Sequence, residues 1–588
     1  MDDNKNKLIA SVFRRSMFPM IMTRTIIFLG PLLNGIIISR FLGSDSIAAY
    51  GLYIPFMFFI LIIAQLFSDG IQNSCAISLG EGNVKKARKF YSSSIATVIL
   101  VMVAVTAALW IFLEPIAEFL SSSKESASNF LPILEDYLKG LSFGLIFYCM
   151  IPVQIEIKFL EGNKKAVVHS VILQTIFNVV GGLLNVFYFH GGMFGMGLAE
   201  SISFCISILS VIFIFKSENA IFDFKFSEVD FKVVPQVLKI GLPTAADRFY
   251  KSVQIFTVNK TLIALSPVAV AAYAGVNTMN NLFNPITIGM TACTFTLAGI
   301  FRGERDKDSL ERLMSFSLKE IFKIELGVAI FAIVTAPFLV SLLVSDNNPE
   351  VFDATVTAFR IFMLYLPVYA INHVLQKYFH GINEFKLVYA TSAMDNLIYI
   401  CLCTILLGHF FGVIGVWSAF LISEILTFVS IMAIIYFVKR KSPFKVESYL
   451  MLPKDFDVDE KDRFENSAVS MDEIISISEA VRKFCIERGE NKRNAMLIAL
   501  TIEEMGRNIL QWSNFNEKKN SIDIKVFFKG EWFIRIRDNT PPFNPSDWLK
   551  VHEENNATEN IGIRMISKIA KELKYVSAMG MNNLTIKI

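Results

Sequence analysis

Charge is scarce in this chain. Only 19% of its residues are Asp, Glu, Lys or Arg, against about 25% in an ordinary soluble domain. The net charge of +3 is small and gathers into no basic face, which argues against a nucleic-acid partner. Histidine and cysteine are few, at six and seven residues. The cysteines form no C-x-x-C and have no histidine at ligand spacing, so neither a disulfide framework nor a zinc site is expected. The N-terminus lacks the short apolar core and cleavage site of a signal peptide, and its first apolar run is long enough to be a retained spanning helix. The polar C-terminal part has no G-x-x-x-x-G-K-[ST], which argues against a P-loop motor.

What the chain has instead is apolar length. Hydrophobic residues make up 53%, and 54 of the residues are Phe. A spanning helix needs about 20 apolar residues. About twelve such runs precede residue 440, near 16–41, 48–76, 92–114, 134–157, 167–189, 193–216, 237–264, 268–300, 321–345, 356–379, 387–409 and 413–438. Lys and Arg fall in alternate loops: Arg14 and Arg15, Lys85 to Lys89, Lys164 and Lys165, Lys225 and Lys232, Arg302 to Arg312, Lys377 and Lys386, and Lys439 to Lys441. The opposite loop near 345–355 carries Asp346, Glu350 and Asp353 with no Lys or Arg. Basic loops stay on the cytoplasmic side, so both termini are expected there, in a multi-pass inner or plasma membrane protein.

The runs are duplicated. Ala48-Ala49-Tyr50 returns as Ala271-Ala272-Tyr273, and Gly80-Glu81 returns as Gly303-Glu304, both at an offset of 271 − 48 = 303 − 80 = 223. A fixed offset over such a span is the mark of an internal repeat, and in a membrane chain it points to a transporter with its site between the halves. The expected organisation is a six-helix lobe over 1–222, a second over 223–441, a linker over 442–469 and a cytoplasmic α+β domain over 470–588. In that domain Ser470 to Glu473 is a capping box, and the alternating SIDIKVFF and WFIRIRD flank a Lys529-Gly530-Glu531 turn.

Polar groups at membrane depth line cavities or pair with one another. The candidates are Arg24, Asn34, Asp69, Asp247, Lys251 and Asp395. Asp247 and Lys251, four apart on one face, suit an ion pair. Arg24, Arg248, Glu200 and Glu424 also leave room for snorkelling at the water boundary. In the tail, Glu504 and Asn508 share a helix face and Asp538 ends a strand. An Asn oxygen suits Mg²⁺, a Glu suits general-base work, and a buried Asp suits the exocyclic amine of adenine. Gly562 opens a helix, whose N–H groups suit phosphate.

SRFLGSDSIAAYG, SLGEGNVKKARK, FLEGNKK and KIGLP, in that order over roughly 12–440, resemble the multidrug and toxic compound extrusion (MATE) family. The resemblance implies alternating access, a small-molecule substrate and H⁺ or Na⁺ coupling. The chain departs from the family at Asn34, where many members have Asp, and at Lys251, where the sodium-coupled branch has Glu. Residues 470–588 resemble the ATP-binding domain of gyrases and histidine kinases, closest to the anti-sigma-factor serine kinases. That resemblance assigns Glu504 as base, Asn508 as magnesium ligand, Asp538 as adenine acceptor, and Phe543, Pro545 and Gly562 as glycine-box landmarks. ATP and Mg²⁺ are the expected cofactors. Thr540, Asn560 and Trp512 depart from that family's pattern. The leading expectation is an exporter regulated by its ATP-binding tail. The alternatives are a membrane-tethered serine/threonine kinase acting on a soluble regulatory partner, and a flippase of lipid-linked cargo.

Overall fold

The computed structural model describes residues 2–121, 127–214, 220–342, 349–440, 442–453, 455–512, 520–545, 547 and 561–588. Lys441, Asp346 and Asn560 therefore lie outside the described residues.

Apolar sequence becomes helix up to Lys439. Seven described helices are long and apolar enough to cross a membrane. The count is nine if the bent pairs Phe130–Ser142 with Leu145–Leu160, and Pro349–Met363 with Leu366–Gly381, are each one span. The twelve expected runs exceed this count for identifiable reasons. The helix Val234–Leu265 carries Lys239, Asp247, Arg248, Lys251 and Lys260. The helix Lys307–Val334 is charged through its first half. The runs 387–409 and 413–438 join in one stretch that turns at Gly412 (φ 60°, ψ −142°), a backbone conformation open to glycine.

The two repeats meet at their duplicated corners. The helices Ile54–Gly80 and Pro267–Glu304 end against each other with no side chain between them. A Cβ on Gly80 would lie 2.1 Å from the Ile300 carbonyl oxygen, and one on Gly303 would lie 2.1 Å from that of Ile77. Polar side chains close the seam beneath. The Lys377 ammonium (2.8 Å) and the Thr244 hydroxyl (2.7 Å) donate to Asp69 Oδ2. Gln72 Nε2 donates to Thr296 Oγ1 at 2.7 Å and Asn73 Nδ2 to Asn383 Oδ1 at 2.7 Å.

The tail is a five-stranded antiparallel sheet of order β1-β2-β3-β5-β4, with β1 Arg463–Ala468, β2 Ile522–Phe528, β3 Trp532–Asp538, β4 Glu572–Ala578 and β5 Met581–Lys587. β1 falls inside the stretch expected to be linker, so the folded domain begins before residue 470. The helices Met471–Glu487, Lys492–Trp512 and Ile561–Ile569 cover one sheet face. Ile522, Ile524, Val526, Ile534, Ile536, Leu584 and Ile586 point to them in a common core with Ile474, Ile498 and Ile502. The strand period of two turns Lys525, Arg535 and Arg537 to the other face. That face rests on the helical body. The cap at Ser470 forms as expected, except that Glu473 reaches the Val469 N–H (2.7 Å).

Candidate functional site

Two groups of polar side chains lie within the helical body, one in each repeat. In the first, Tyr50 neighbours Asn34 and Glu200, and Tyr137 donates to the Glu200 carboxylate. The rings of Tyr50, Tyr53 and Tyr137 pack edge-on or tilted against one another. In the second, a cavity of about 140 Å³ is lined by Lys251, Tyr273, Tyr365, Tyr369, Asp395 and Glu424, among others. Asn372 Nδ2 donates to Glu424 Oε2 at 2.8 Å, and the Lys251 ammonium sits 5.9 Å from the Tyr369 ring centroid. The duplicated Tyr50 and Tyr273 each belong to a group that contains a buried glutamate. Glu200 and Glu424 are each only 5% exposed, which removes the snorkelling alternative for both.

The other candidates separate. Asp69 and its partner Lys377 belong to the seam between repeats. Arg24 pairs with Glu156, which Gln72 also bonds. Asp247 does not form the expected ion pair with Lys251. Its Oδ1 accepts from Ser392 (2.8 Å) and Asn396 (2.9 Å) instead. Sequence reasoning missed Glu156 and Lys377 as partners, because their contacts join residues 132 and 308 positions away.

In the tail, a cavity of about 150 Å³ lies between the helix Lys492–Trp512 and the sheet. Asn508, Asp538, Phe543 and Pro545 line it, with Met505, Ile536, Tyr575 and Asn582. Asp538 is 5% exposed, and burial pushes its carboxyl above the usual carboxylate range. Its Oδ1 accepts from the Thr540 N–H (2.8 Å), from Asn582 Nδ2 (2.9 Å) and from the Thr540 hydroxyl. Oδ2 receives no hydrogen bond from the described residues. The carboxyl group is thus held by one oxygen, and Thr540 supplies two of the fixing bonds. Glu504 does not line this cavity, and its carboxylate pairs with Arg507 at 3.0 Å. Gly562 is the second residue of the helix Ile561–Ile569.

A family model for MatE matches residues 19–187 and 243–405, one segment in each repeat and together more than half of the chain. The chain belongs to the MATE family. It is a membrane transporter with a small C-terminal sheet domain that the MATE match does not reach. Among solved structures, it is similar to the outward-facing conformation of a multidrug resistance MATE family transporter of the MOP superfamily, at 21% identity, covering 71% of this chain and 93% of that one with a TM-score of 0.66. A mutant MATE transporter of Vibrio cholerae matches at 17% identity, covering 74% and 98%, with a TM-score of 0.68. A MOP superfamily transporter of Pyrococcus furiosus, described by the reverse polarity of its binding pocket, matches at 21% identity over 71% and 94%, with a TM-score of 0.65. No curated protein matches the chain.

Proposed function

We propose that this MATE transporter exports small organic compounds by alternating access, in exchange for H⁺ or Na⁺, and that its tail binds ATP with Mg²⁺ to regulate the exchange. In this reading twelve spans place both termini in the cytoplasm. The observation that carries the nucleotide part is the meeting of Asn508 and the half-satisfied Asp538 in one cavity. Their distance in sequence is 538 − 508 = 30 positions, and nothing but the fold brings them to one wall. A free carboxylate oxygen among apolar residues suits the amine edge of adenine. Asn508 would hold the metal and its phosphates at the other end.

Glu504 speaks for sensing over phosphotransfer. A base outside the cavity and paired with an arginine is poorly placed to take a proton from an attacking hydroxyl. In the transporter the two buried glutamates, each in its own repeat and in one polar group with a duplicated tyrosine, are the groups we assign to ion coupling. They stand in for the acids missing at Asn34 and Lys251.

Nucleotide binding to the purified full chain tests the tail. Asp538→Asn replaces an acceptor by a group that can present N–H, and it should weaken ATP binding at least about tenfold, the scale of one hydrogen bond to a charged group. Equal affinity in the two proteins removes the site. Efflux from proteoliposomes under imposed H⁺ and Na⁺ gradients, with and without ATP on the tail side, tests the division of labour. Flux that needs ATP and ignores both gradients would contradict regulation.

A further inference from the structure

The face of the sheet opposite its helices lies across the seam where the two repeats close, and it touches both. Its contacts with the second repeat are charged and buried. Arg537, one of the largest fully buried side chains, pairs with Asp306 and donates to Ser309 Oγ at 2.9 Å. Lys525 Nζ reaches Asp306 Oδ1 at 2.9 Å, Arg535 donates to the Glu304 carbonyl at 3.0 Å, and Asn583 Nδ2 to Glu304 Oε1 at 2.6 Å. Arg463 pairs with Asp308 (2.7 Å), and Arg312 pairs with Glu465. The segment leading into the sheet is fastened to the same repeat. Arg305 donates to the carbonyls of Asp455 (2.6 Å) and Phe456 (3.0 Å), Lys307 pairs with Glu447 (2.9 Å), and the Tyr378 hydroxyl donates to the Leu450 carbonyl (3.2 Å).

The contacts with the first repeat are of another kind. The Met579 N–H donates to the Leu160 carbonyl at 2.8 Å. The β4–β5 turn at Gly580 lies against Gly162, and the Lys574 side chain lies against Gly82. Arg15 donates to the Asn539 carbonyl at 3.1 Å, and Asn539 Nδ2 donates to Ser11 Oγ at 2.8 Å. Among the described residues no carboxylate takes part in these bonds. Their one cation, Arg15, is exposed, so breaking them buries no unpaired charge, whereas pulling Arg537 from Asp306 would leave both ions buried without each other.

Opening on the tail side requires the Gly80 and Gly303 corners to part. A sheet held by both repeats across that seam resists the motion for as long as both sets of contacts hold. We infer that the C-terminal sheet is a latch on the tail-side gate, hinged on the second repeat and released from the first. The latch needs nothing bound in the tail cavity, because none of its contacts is made by a residue that lines that cavity.

Spin-label distances in the reconstituted full chain, with native cysteines replaced by serine and no nucleotide added, test it. Lys85→Cys with Lys319→Cys reads the gate. Lys529→Cys with Lys85→Cys reads the sheet against the first repeat, and Lys529→Cys with Lys319→Cys reads it against the second. All three positions are exposed. Ser11→Ala with Arg15→Ala should broaden the 529–85 distance, leave 529–319 narrow and raise the minor open-gate population about tenfold. Lys574→Ala, on the sheet itself, should act in the same direction and serves where the helix variant does not fold. A gate distance that stays fixed while 529–85 broadens overturns the latch. Broadening of 529–319 overturns the hinge, and unchanged distances in both variants overturn the proposal outright.

Discussion

Asp523 is the residue whose position has the plainest energetic consequence. It lies on β2, facing the helical body beside Arg312 and Arg537, and is 3% exposed. Burial raises its carboxyl to about 6, against the pull of both arginines and a bond from Ser467. The folded protein therefore holds a proton that the unfolded chain releases near pH 4. Stability falls as pH rises from about 4 to 6, then stays lower by about 3 kcal/mol. Asp523→Asn keeps the acceptor for Ser467 and removes the charge. It should raise the melting temperature above pH 6 and leave it unchanged below pH 4. A difference that is constant across pH would show that the carboxylate is not the cause. Asp306 behaves in the opposite sense. Burial disfavours its charge, but Lys525, Arg537 and Arg535 overcome that and hold it well below the usual range. Its contribution is present above the unfolded value and lost only in strong acid, so mild acidification should not undock the sheet.

At the scale of elements, the duplicated Gly-Glu corners are where repetition becomes contact. A Cβ on either glycine collides with backbone, which cannot rotate away. Overpacking of this kind costs about 1–3 kcal/mol. Gly303→Ala and Gly80→Ala should each lower thermal stability and expose Thr296→Cys to a thiol reagent from the tail side. Gly327→Ala, where nothing lies within 4 Å, should do neither. The repeats and the tail strands were legible in sequence, because each rests on a periodicity or an offset. The docking face was not. Lys525, Arg535 and Arg537 alternate with aliphatic residues as they would on a strand with one wet face, and their partners Glu304 and Asp306 on the second repeat are more than 200 positions away. That Asn508 and Asp538 line one cavity was expected only through resemblance, whereas the pairing of Glu504 with Arg507 is a matter of side-chain geometry that no spacing records.

For the whole molecule, the tail cavity and the latch share a strand end. Asp538 and Asn539 are adjacent, one at the cavity and the other on the first repeat, and Met579 stands three residues before Asn582, which bonds Asp538. A nucleotide drawn to Asp538 would therefore act next to every releasable contact except Lys574 on Gly82. ATP added to the spin-labelled chain should change the 529–85 distribution and not the 529–319 one, and a change confined to 529–319 would place the coupling elsewhere. The fastening of Glu447, Leu450, Asp455 and Phe456 to the second repeat has a kinetic consequence. A sheet that has left the first repeat stays tethered within reach of it, at an effective concentration on the order of millimolar. Its return is a first-order event, indifferent to how densely the transporter fills the membrane. A soluble copy of the tail would need comparable concentrations to take its place.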